Sequence, residues 1–130
     1  MNKTILITAT ILGGLSIILG AFGAHALKVL IGIEALQTFE TGVRYQMYHA
    51  LFLLFVGNTD LIRPNNKKFI FYLVVFGVLF FSGSIYGLAT NMLTSFNFKS
   101  IGFVTPIGGL LLVLAWIIIF MNFIKKKRYK

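Results

Sequence analysis

Three stretches of the chain, Thr4–Ala24, Phe69–Ala89 and Ile101–Ile124, carry no charged residue. At 1.5 Å per residue, about 20 helical residues cross a hydrocarbon layer of about 30 Å, so each stretch predicts a membrane-spanning helix. A weaker run lies between the first two. Ala50–Gly57 is wholly apolar, but reaching spanning length recruits Tyr45–Ile62, which holds Gln46, His49, Asn58, Thr59 and Asp60. Leaving those apolar residues in water costs about 25 cal/mol per Å² exposed, which favours a fourth span. The pattern therefore predicts an all-α integral membrane four-helix bundle, a single domain over 1–130 with spans near 4–24, 45–62, 69–89 and 101–124. In His25–Arg44, Leu36, Phe39 and Val43 recur at helical spacing and Glu40 stands four residues before Arg44. That predicts a short interfacial helix between spans one and two, running into the second.

Composition agrees with this reading. Of 130 residues, 58% are hydrophobic and 12% charged, where a soluble domain has about 25% charged residues. The absence of Cys excludes disulfides and thiolate chemistry. The net charge of +9 resembles a nucleic-acid signature, but Lys125, Lys126, Lys127, Arg128 and Lys130 follow the last span directly. Such a basic tail, 125–130, is a cytoplasmic flank attracted to anionic lipid headgroups, and no polar domain presents it to nucleic acid. With four spans, Lys3, Arg63, Lys67, Lys68 and the tail share one side, against Lys28, Arg44 and Lys99 on the other. Three spans give a split at least as lopsided, with the amino terminus outside, so charge fixes only the tail on the cytoplasmic side; four spans place both termini there. Lys3 and the Ala24-His25-Ala26 segment imitate a secretory signal, but the apolar stretch exceeds the usual 7–15 residues of such signals and is expected to be retained.

Small residues mark close helix contacts, because in lipid no hydrophobic force drives helices together and packing must. Gly20 aligns with Ser16 and Ala24, Gly83 with Gly87, and Gly108 and Gly109 thin one side of the last span near Ala115. These serve packing within the bundle first; a homo-oligomer seam is the alternative. Polar residues inside the spans are the other marked feature, since they are costly in hydrocarbon unless partnered. The predicted topology brings His25, Arg44, Tyr45, Gln46, His49, Ser82, Tyr86 and Thr105 to the outer leaflet and leaves the inner half almost without polar groups beyond its rim. Ser84 points away from Ser82 and Tyr86, and Pro106 suits a helix start. Trp116, toward the inner half, reads as an anchor outside this cluster.

Four segments carry a resemblance: Gly20–Leu27 with its Gly-Ala-His core, Tyr45–Leu51 with Tyr-Gln-Met-Tyr-His, Phe81–Ala89 with Ser-Gly-Ser-Ile-Tyr-Gly, and Val104–Gly109 with Thr-Pro-Ile-Gly-Gly, followed by Trp116. Together and in this order they closely resemble the YgdD/YwdK family of small bacterial multi-pass membrane proteins. The resemblance implies a four-helix plasma-membrane protein and adds topology rather than mechanism. Ala115 stands where relatives often carry Gly, and the Lys-rich tail is local to this chain.

A structural or accessory membrane protein is the reading this supports, with a small transporter or channel gated by His25, His49 and Tyr45 as the alternative. A multidrug exchanger would need a carboxylate within Thr4–Ala24, which has none. No cofactor is called for; haem held by His25 and His49 is the nearest exception. Zinc would fall back on Glu34, Glu40 or Asp60, the last on the wrong side. Catalysis is not expected: Ser82 and Ser84 lack a nucleophile-elbow pattern, and His49 is the one base in reach.

Overall fold

The computed structural model describes residues 1–95 and 97–125, and its elements are all helical. Helix α1 runs Asn2–His25, a 3₁₀ turn covers Leu27–Val29, and α2 runs Ile33–Asn58. Helix α3 (Pro64–Val78), a π turn (Leu79–Gly83) and α4 (Ser84–Ala89) form one continuous rod. Two further 3₁₀ turns, Asn91–Leu93 and Phe98–Ile101, lead to α5, Val104–Ile124. Beyond Lys125 the predicted basic tail lies outside the described residues. Pro64 opens α3 and Pro106 sits in the first turn of α5, positions where a missing N–H costs nothing.

The rods Asn2–Val29, Pro64–Ala89 and Val104–Ile124 are each long and apolar enough to cross a membrane. With α2 they form an all-α membrane bundle built from two antiparallel hairpins: α1 lies along α2, α5 lies along α3, and α2 joins the halves by packing on α3, the π turn and α4. The end holding the starts of α1 and α3 is called the near end, the opposite one the far end. Contacts along the first hairpin fix its register. Gly23 faces Phe39, Gly20 faces Val43, Gly13 faces Ala50 and Gly57 faces Ile5 and Leu6.

That register explains why the second rod departs from its predicted bounds. Helix α2 starts at Ile33 rather than near residue 45 because α1 offers it a partner as far as Gly23; the expected interfacial helix is simply its first turns. Residues 59–62, assigned to the span from the sequence, instead turn toward α3, with Thr59 Oγ1 accepting from Leu61 N–H at 3.2 Å. Arg44 does not use Glu40 as its hydrogen-bond acceptor; its guanidinium donates to Thr41 Oγ1 at 3.2 Å.

Burial inverts the order of a water-soluble bundle. Helix α1, among the most apolar, buries only Ile5, Ala9, Ser16 and Gly23, and turns Ile7, Ile11, Ile17 and Ile18 outward. The polar-rich α2 buries Gln46 and His49 beside Phe52, Leu53 and Val56. Lipid solvates the first face well, whereas the polar groups of α2 need protein partners. The main core gathers Ile5, Leu53, Val56, Ile70, Val74 and Ala115; a smaller one at the far end joins Leu27, Ile31, Phe39 and Ala89.

The predicted packing glycines divide. A Cβ on Gly108 would meet Phe80 backbone carbon at 2.7 Å and Gly77 carbonyl oxygen at 2.9 Å, so α5 and the third rod touch backbone to backbone there. Gly87 lies under the Phe98 ring, whose nearest atom would be 2.6 Å away. Gly20 and Gly109 make ordinary contacts at 3.6 Å, while Gly83 has nothing within 4 Å. Gly83 is therefore no packing residue: the π turn rotates it outward, away from Gly108.

Candidate functional site

The polar side chains of α2 are buried where they meet three other elements. Gln46, 4% exposed, donates from Nε2 to the Leu12 carbonyl of α1 at 2.9 Å and accepts the Tyr86 hydroxyl on Oε1 at 2.7 Å. One amide thus links α1, α2 and α4. The same Leu12 carbonyl accepts Ser16 Oγ at 2.8 Å. One turn toward the far end, Ser82 Oγ donates to the Gly42 carbonyl at 2.7 Å, tying the π turn to α2. A separate pair, Ser84 Oγ and Thr105 Oγ1 at 2.6 Å, joins α4 to the start of α5.

His49 is held from both sides. Trp116 Nε1–H, which can only donate, points at His49 Nε2 at 3.2 Å, so Nε2 is the acceptor. Nδ1 then carries the proton and donates to the Tyr45 carbonyl at 2.8 Å. The imidazole is neutral in this arrangement, a defined tautomer within an aromatic box. Its ring centroid lies 6.0 Å from Phe52 and 6.2 Å from Trp116, which are themselves 4.4 Å apart.

Of the eight residues expected to cluster, the structure brings Gln46, Ser82 and Tyr86 together, bonds His49 to Trp116, and leaves Thr105 with Ser84. The other three stand apart. His25 is exposed at the end of α1, Arg44 is exposed, and Tyr45 turns its ring outward against Tyr48 and Phe81. Trp116, set aside from the sequence, belongs with His49. Gly13 faces Ala50, so His49 lies level with the middle of α1, and Trp116 lies just past the midpoint of α5. The polar groups form a ladder from the far end of the bundle to its middle. His25 is about 11 residues, roughly 16 Å, farther along the axis than His49, too far for both to bind one haem iron. Among the described residues no three His, Asp or Glu side chains converge on a metal position.

A second polar centre was not foreseen. Asn122, 2% exposed and one turn from the end of α5, accepts Arg63 N–H at 3.1 Å and Asn66 Nδ2 at 2.9 Å on Oδ1, and donates to the Leu61 carbonyl at 2.6 Å. It clasps the turn between α2 and α3. Beside it Lys67, 6% exposed, donates from Nζ to Asn2 Oδ1 at 3.1 Å. A cavity of about 1280 Å³ opens at this end, lined by Asn2, Lys3, Asn58, Asp60 and Lys67 among others. In the sequence Asn122 is a single polar residue just before a run of lysines, and its burial depends on where the α2–α3 turn folds.

Comparison with known proteins places this geometry in a family context. The family described as "Protein of unknown function (DUF423)" matches residues 19–109. A UPF0382 membrane protein of Staphylococcus saprophyticus is 38% identical over 106 residues, 82% of this chain and 84% of that one. The UPF0382 membrane protein YwdK of Bacillus subtilis is 35% identical over 95% of this chain and 98% of its own length. The UPF0382 inner membrane protein YgdD of Escherichia coli is 33% identical over 98% of this chain and 94% of its own. No solved structure matches.

Proposed function

Because the chain belongs to the DUF423 (UPF0382) family of bacterial membrane proteins, we propose that it is a structural or accessory protein of the plasma membrane whose polar ladder is an internal clasp. One observation carries the reading: among the described residues no buried side-chain nitrogen or oxygen lacks a hydrogen-bond partner. A ligand site keeps polar groups waiting for the ligand, whereas Gln46, Ser82, Tyr86 and His49 are each partnered within the chain. On this reading the protein is not an enzyme and needs no cofactor.

Both termini face the cytoplasm in this proposal, since Lys3, Arg63, Lys67, Lys68 and Lys125 lie at the near end, where anionic headgroups attract cations. The chain contains no Cys, so a single cysteine at residue 130 reports its side by labelling of intact cells; access from outside would reverse the orientation.

The large near-end cavity with Asp60 and Lys67 in its wall favours a second reading, a small transporter or channel. Proteoliposomes separate the two. A clasp gives no uptake or leak above empty vesicles between pH 5 and 8, and Gln46→Leu lowers the melting temperature. A transporter shows pH-dependent flux, with Gln46→Leu or Asp60→Asn impairing flux while melting stays unchanged.

A further inference from the structure

Between α3 and α5 runs a groove of about 590 Å³ whose exposed wall is almost entirely apolar. One side presents Lys68, Tyr72 and Phe76 of α3 at four-residue steps and then Phe80 of the π turn, in order from the near end inward. Leu111 of α5 forms part of the opposite wall, and Asn65 flanks Lys68 at the mouth. From Lys68 to Phe80 the face extends roughly 18 Å, against about 15 Å for the hydrocarbon half of one leaflet. The groove thus begins at the near end of α3 and runs toward the middle of the bundle.

The chemistry changes along it in the same order as a phospholipid does. Lys68 is exposed and, unlike Lys67 with its Asn2 partner, makes no hydrogen bond or ion pair among the described residues. One turn deeper, Tyr72 is 47% exposed. Phe76 and Phe80 follow, ring centroids 6.1 Å apart, with no polar group beside them. A cation at the mouth favours an anionic headgroup over a zwitterionic one, as basic pockets between membrane helices do.

From this gradient we infer that the α3–α5 groove is a binding site for one anionic phospholipid of the near-end leaflet. Its phosphate sits at Lys68 and Asn65, an ester carbonyl at Tyr72, and an acyl chain along Phe76, Phe80 and Leu111. The site is distinct from the polar ladder and from the general attraction of lipids to the basic tail.

Native mass spectrometry of the full chain, delipidated in detergent and titrated with phosphatidylglycerol or phosphatidylcholine of equal chain length, tests it. Wild type is expected to retain one phosphatidylglycerol at least about five-fold more tightly than phosphatidylcholine. Lys68→Gln should erase that preference, and Tyr72→Phe should weaken it less. Leu111→Trp fills the groove without altering charge and should lower retention of both lipids, which keeps the test intact if Lys68→Gln fails to fold. Replacing Lys126, Lys127, Arg128 and Lys130 by Gln should leave the preference in place. The inference is overturned if wild type shows no preference, if folded Lys68→Gln keeps it, if Leu111→Trp binds both lipids as wild type does, or if the tail variant alone abolishes it.

Discussion

The polar ladder and the near-end clasp solve the same problem with different risks. Around Gln46 and His49 most bonds run from one side chain to another or to a helical carbonyl that already has a backbone partner: Tyr86 to Gln46, Trp116 to His49, Gln46 to the Leu12 carbonyl. Losing one member leaves the helical backbone satisfied. Around Asn122 the partners include the Arg63 N–H and the Leu61 carbonyl, which belong to the turn outside the helical ladders. Removing Asn122 takes away the side-chain partner of two turn groups that no helical ladder holds. The ladder therefore sets how helices are oriented, while the clasp decides whether the α2–α3 turn is closed at all.

The strongest way to break this contrast is Asn122→Ala. With three hydrogen bonds lost from a buried side chain, it should cost about 3 kcal/mol and speed proteolysis between residues 59 and 63. Reversible unfolding in mixed micelles measures the first, and a limited-digestion time course the second. Next comes His49→Ala, at about 2 kcal/mol: it removes a buried ring, unpairs the Trp116 indole and opens space beside Phe52. Cleavage at 59–63 should stay at the wild-type rate. If His49→Ala opened that turn as readily as Asn122→Ala, the two centres would be one cooperative network. Tyr86→Phe should cost less, about 1 kcal/mol, because it removes one hydrogen bond and keeps the ring packed on Phe39.

The sequence revealed the helices better than their partners. Apolar runs mark α1, the third rod and α5 because lipid imposes its composition on whatever faces it, and α1 faces it most. Helix α2 was harder to read for the same reason: its polar residues look toward protein, so hydropathy understates it, and its start at Ile33 depends on the register with α1. Counting residues from a predicted start at residue 45 put Gln46 and His49 at the beginning of the second helix, whereas α2 starts at Ile33 and both lie about midway along it. Trp116 and Asn122 were missed because each is a single polar group in an apolar run. What makes them matter is the element opposite, which neither position encodes.

The smallest effect concerns the two glycine positions that the sequence ranked alike. Spacing makes Gly83 and Gly108 equal candidates for close packing, but the π turn over Leu79–Gly83 adds a residue to the helical circuit and turns Gly83 outward, leaving Gly108 against the backbone of Phe80. Gly83→Ala should change stability by no more than about 0.5 kcal/mol, with any change toward greater stability, since the methyl meets nothing and the unfolded chain loses freedom. A loss of more than 1 kcal/mol by the same unfolding assay would mean that the rod between Pro64 and Ala89 packs Gly83 against a neighbour, either by straightening the π turn or by pairing with a second copy of the chain. Crosslinking of a single-cysteine variant at Ser84 separates these outcomes, because only pairing between copies yields a covalent dimer.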